Sequence, residues 1–125
     1  MEIHIKTIPH KDQRYETVGD YWVDQNGVQQ VRISDMGNDD YAFLVAMHEL
    51  TELYLCQKRG ILEPDITAFD KDFESNRPVG NTDEPGDSQD APYRKEHFFA
   101  TSIERLIAGE IGADWSEYDD AVTNL

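Results

Sequence analysis

His48-Glu49-Leu50-Thr51-Glu52 is the stretch of this chain whose residue types and spacing can do chemistry. On a helix at about 100° per residue, Glu49 lies roughly 100° and Glu52 roughly 40° around from His48, so all three project into one sector. The run is a His-Glu-x-x-Glu variant of the metal-binding pattern His-Glu-x-x-His. In that pattern the i and i+4 side chains hold the ion, and the glutamate at i+1 acts as general base on bound water. A carboxylate in the second ligand position suits zinc and tilts preference towards harder cations. Zinc is therefore the leading divalent metal, with manganese or iron as alternatives. The plainer reading is a buried hydrogen-bonded pair, His48 with Glu52, that binds nothing.

A partner for this cluster is available in Tyr93–Ile111, a second long helical stretch closed by Gly112. His97 and Glu104 lie two turns apart on one line with Thr101 and Ala108, whose small side chains allow another helix close. The core stripe of that helix is expected to be Phe99, Ile103, Leu106, Ile107 and Ile111. The candidate metal set is thus His48, Glu52, His97 and Glu104, with Glu104 either a fourth ligand or a partner orienting an imidazole. Glu49 is the candidate general base. The plainer alternatives are a partly exposed His97 and a surface Glu104 beside Arg105. Asp65, Asp70 and Asp72 read as solvated helix charges, and His4 and His10 as surface residues.

The elements that must position these residues follow from pattern. Residues 39–59 read as one helix, capped by Asn38 or Asp39, carrying Lys58 and Arg59 in its last turn and stopped by Gly60. It is apolar on nearly every side, which predicts a buried helix, and two acids inside a buried helix need partners. Ile3, Ile5 and Ile8 predict a half-buried strand ended by Pro9. Residues 21–34 predict a hairpin with a type I′ turn at Asn26-Gly27. Residues 65–74 form a short helix with Phe69 and Phe73 paired, residues 76–92 a long flexible loop or lid, and residues 113–122 a terminal helix in which Trp115 and Tyr118 pack back. The expected architecture is α+β, a small antiparallel sheet of about three strands on two long buried helices.

With 125 residues the chain makes one domain with one core. A net charge of −15 opposes binding to nucleic acid or to an anionic membrane. It favours cationic partners, either a divalent metal or a basic protein surface. The single cysteine, Cys56, excludes a disulfide framework within one chain and fits a reducing cytoplasm. The amino-terminal segment has no hydrophobic signal region, and no apolar run is long enough for a bilayer.

The segments RISDMGNDDYAFLVAMHELTELYLC, FDKDFE, EPGD and APYRKEHFFATSIERLIAGEIGADW resemble a family of small uncharacterised phage and prophage proteins. That resemblance implies a phage or bacterial cytoplasmic origin and no established activity. A narrower resemblance, over Val31–Cys56 with His97 or Glu104, is to minimal zincin metalloproteases, in which a sheet precedes the His-Glu helix and a later helix brings the third ligand. It implies a metal-dependent hydrolase. The other reading is a non-enzymatic acidic phage protein that binds and inhibits a basic host protein.

Overall fold

A computed structural model describes all 125 residues. Three strands, β1 (Ile3–Ile8), β2 (Gly19–Val23) and β3 (Gln29–Ser34), precede four helices: α1 (Asp39–Lys58), α2 (Glu63–Ser75), α3 (Arg94–Ile111) and α4 (Trp115–Thr123). The chain is α+β, as its patterning implies.

The sheet is mixed, in the order β1-β3-β2, and not antiparallel throughout. β2 runs antiparallel to β3, with Tyr21 opposite Val31, while β1 runs parallel to β3, with Ile5 opposite Val31. The cause is the connection over residues 9–18. It is too long to be a tight hairpin and does not hold β1 against β2, which leaves β3 able to pair with both. β3 can take the centre because Val31 and Ile33 are fully buried. β1 is an edge strand, half-buried only at Ile3 and Ile8, with Ile5 exposed.

Nor is the hairpin turn of type I′, which needs two positive φ angles; only Gly27 is left-handed. Asp24 organises the turn instead, its Oδ1 accepting from the amides of Asn26 at 2.8 Å and Val28 at 3.0 Å.

α1 begins where Asn38 Oδ1 accepts from the Tyr41 amide at 3.1 Å, with Asp39 and Asp40 in the first turn and Lys58 in the last. It packs on the sheet through Val45, Leu53 and Cys56, which join Tyr21, Val31 and Ile33 in the core. α3 runs antiparallel beside α1: Arg59, after α1, reaches back 2.6 Å to Glu96 near the start of α3.

Neither long helix is buried all round. On α3 the expected core stripe is largely outside, with Phe99, Leu106 and Ile111 exposed. The buried face carries Glu96, His97, Ala100, Glu104 and Ala108. The inversion has a physical reason. The small residues let the α3 backbone approach α1 closely, and the polar side chains on that face find partners across the contact.

Candidate metal centre

α1 supplies His48 and Glu52 one turn apart, and α3 supplies His97 from across the helix pair. His48 Nε2 and His97 Nδ1 are each 3.1 Å from Glu52 Oε2 and 3.2 Å from one another. Three donor atoms therefore close a triangle with sides of 3.1, 3.1 and 3.2 Å. Ligands about 2.0–2.1 Å from a tetrahedral zinc-sized ion stand about 3.3 Å from each other, so the triangle fits one face of such a site.

The atoms turned away from the triangle are all engaged. Glu104 Oε1 lies 2.7 Å from His48 Nδ1. A carboxylate only accepts, so this nitrogen keeps its proton, and Nε2 is the ring nitrogen on which an ion would replace a proton. His97 Nε2 faces Glu84 at 2.9 Å and Asp87 at 3.2 Å, which likewise leaves Nδ1 as the nitrogen on which an ion would replace a proton. Tyr21 donates its hydroxyl to Glu52 Oε1 at 2.8 Å, and Tyr118 donates to the second oxygen of Glu104. Carboxylates on the far nitrogens and a phenol on the far oxygen are the partners that orient and strengthen metal ligands. Two imidazole lone pairs and a carboxylate oxygen at these separations repel unless a cation, proton or metal, lies among them.

Of the four expected ligands, three meet. Glu104 stands behind His48, on the nitrogen facing away, in the orienting position. Glu49 makes no hydrogen bond with the protein and borders the same cavity. It is crowded against Gly19, where an added Cβ would lie 2.6 Å from Glu49 Oε1. The absence of a side chain at Gly19 thus makes room for the acid.

Electrostatics divides the two glutamates. Burial opposes ionisation of Glu52, but hydrogen bonds from His48 and His97 outweigh it and hold this acid down at about 2. Burial and the neighbouring charge of Glu52 push Glu49 well above the ordinary glutamate range. Burial lowers both imidazoles, yet their carboxylate partners prevail. His48 is raised by Glu104 and Glu52, and His97 is raised to about 12 by Asp87, Glu52 and Glu84.

The cavity in front of the triangle has a volume of about 640 Å³. Asp70, read from sequence as a solvated charge, is buried in its wall, with hydroxyls from Tyr15 at 2.8 Å and from Tyr93 on its two oxygens. Burial raises this acid to about 6 against the pull of both phenols. Asp65 and Asp72 are exposed and outside the cavity lining. His4 is exposed beside Glu2, and His10 bonds Ser34 and Glu16 at 2.8 Å.

Glu84 and Asp87 were hidden in the stretch 76–92. Within it, Pro85–Asp87 forms a single 3-10 turn in which the Glu84 amide donates to Asp87 Oδ2 at 3.2 Å and the Asp87 amide to the Glu84 carbonyl at 3.0 Å. Gly86 is seated on His97, where a Cβ would come 2.3 Å from the ring. The available signal was two acids three apart around Pro85-Gly86, which a tight turn points in one direction. Tyr21 and Tyr118 gave no local signal.

Comparison with protein-family models, with curated proteins and with solved structures finds no match to this chain.

Proposed function

We propose that the chain holds one divalent metal ion on His48 Nε2, Glu52 Oε2 and His97 Nδ1, and that it is a metal-dependent hydrolase of zincin-like plan. The observation that carries this reading is the triangle of three donor atoms whose outward atoms all have partners. An ion bound there supplies Lewis-acid polarisation and a water of lowered pKa. Glu49 is the general base. It is free of hydrogen bonds, sits next to the ligands and borders the cavity, and burial with the neighbouring charge of Glu52 makes it a stronger base than an ordinary glutamate. Glu104, Glu84 and Asp87 fix the two imidazoles, and Tyr21 fixes Glu52.

The lining favours a neutral or cationic substrate, such as a peptide or amide, over a phosphate ester. Glu16, Asp83 and Asp119 border the cavity. Arg77 is engaged by Glu74 at 2.8 Å, and Arg105 lies over the Trp115 ring. The test compares metal-loaded protein with its Glu49→Gln variant on a mixed-sequence peptide library. Cleavage by the parent and none by a variant of equal metal content is the expected result. Equal cleavage by the two proteins would remove Glu49 from the mechanism, and no cleavage by either would leave the cluster as structure.

A further inference from the structure

The cavity-facing sides of α1 and α3 carry Val45, His48, Glu49, Glu52, His97 and Glu104. The opposite sides carry a second feature that the metal centre does not use. On α1, Phe43, Met47, Leu50 and Tyr54 recur at helical spacing, with Phe43 48% and Tyr54 49% exposed. On α3, Phe99, Ile103 and Leu106 do the same, with Phe99 53% and Leu106 69% exposed. α1 and α3 lie side by side, so the two stripes form one apolar face turned away from the cavity. At helix lengths of about 30 Å and a two-helix width of about 20 Å, that face reaches the lower end of what each partner buries in a stable complex, about 600 Å².

Its charge pattern identifies the occupant. The chain carries 26 acidic residues against 11 lysines and arginines, yet no charged side chain interrupts either stripe. Charges stand at the ends instead. α1 starts with Asp39 and Asp40 and ends with Lys58, followed by Arg59; α3 starts with Arg94 and Lys95, and Glu110 is in its last turn. Because the helices are antiparallel, as the contact of Arg59 with Glu96 fixes, the acids gather at one end of the face and the bases at the other. Arg59 is held by Glu96 and Arg94 lies over Phe98, which leaves Lys58 and Lys95 as the free cations.

We propose that this face pairs with the same face of a second copy about a two-fold axis perpendicular to α1. Such an axis lays the acidic end of one protomer on the basic end of its partner, closes both apolar stripes into a four-helix layer, and leaves both cavities open on the outside. An isologous contact needs a self-complementary patch, and an acid-to-base gradient along an uncharged apolar face is one. A generic basic protein would meet repulsion at the Lys58 end.

Sedimentation velocity on the full chain, from about 1 to about 100 µM, tests this over the range in which a modest interface associates. A dimer is expected, and Leu106→Glu shifts it to monomer. Asp40→Lys and Lys58→Glu each place like charges across the axis and weaken the dimer by about tenfold. The double variant Asp40→Lys/Lys58→Glu restores it. The surface reversals keep the proposal testable if Leu106→Glu disturbs folding. A monomer throughout the range overturns the pairing. A dimer indifferent to all these changes, or a double variant as weak as the single ones, overturns it equally.

Discussion

Glu104→Gln separates an orienting carboxylate from a mere structural neighbour. Glu104 accepts the His48 Nδ1 proton at 2.7 Å and the Tyr118 hydroxyl on its other oxygen. Glutamine keeps the shape and one accepting oxygen, so the helix contact survives. What disappears is the negative charge behind the ligating imidazole. A hydrogen bond to a charged partner is worth about 1.5–3 kcal/mol and a neutral one about 1 kcal/mol. The difference, about 0.5–2 kcal/mol, lowers metal affinity by roughly 2- to 30-fold at about 1.4 kcal/mol per decade. This agrees with the loss of about 10- to 100-fold on removing such partners elsewhere. Competition with a chromophoric chelator at pH 7 measures it, and far-ultraviolet circular dichroism checks the fold. A folded variant that binds metal as tightly as the parent would refute the orienting role, and one that loses all binding would make Glu104 a ligand.

Three further outcomes follow from the same geometry. Gly86→Ala drives a Cβ into the His97 ring, 2.3 Å away, and lifts the Glu84–Asp87 turn. A loss of about 1–3 kcal/mol in denaturant unfolding is expected, as for other overpacked sites, with weaker metal binding alongside. An unchanged midpoint would mean that the turn does not bear on His97. Asp70 titrates at about 6 in the folded protein against 3.8 unfolded, so its contribution to stability is fully present below about 3.8 and is lost as pH rises through about 6. Tyr93→Phe removes a donor to the carboxylate and should move the Asp70 carboxyl resonance midpoint above that of the parent in a carbon-13 NMR titration; a downward move would contradict the assignment. Metal affinity should fall as pH falls, because a bound ion needs the lone pairs of His48 and His97 and displaces any protons there. Calorimetry in buffers of different ionisation enthalpy reads the protons released, and zero release would contradict imidazole ligation.

What could be read from sequence was local. His48 and Glu52 fall together on any helix, and a buried helix with two acids has to find polar partners, which is how His97 and Glu104 were legible. Which face of α3 turns inward was not. Periodicity separates the Phe99–Leu106 stripe from the His97–Glu104 line, but it ranks the apolar stripe as the core. Here the polar line is inside because α1 meets it with complementary groups, a property of the pair and not of either helix. The low sequence polarity around α1 predicted burial on every side, whereas Phe43 and Tyr54 face outward. Strand order was hidden because the 9–18 connection fixes no neighbour. Glu84 and Asp87 were hidden because a turn's direction is local while its target, His97, is ten or more residues away in the chain.

Every role proposed for the site depends on a metal ion in the His48–Glu52–His97 triangle. Elemental analysis of protein purified without chelator, repeated on His48→Ala, tests it most directly. One divalent ion per chain in the parent, a marked loss of ion in the variant, and a melting temperature in the parent that falls on chelation are the predicted results. A parent chain without stoichiometric metal, indifferent in stability to added zinc, manganese or iron and to chelator, would contradict it.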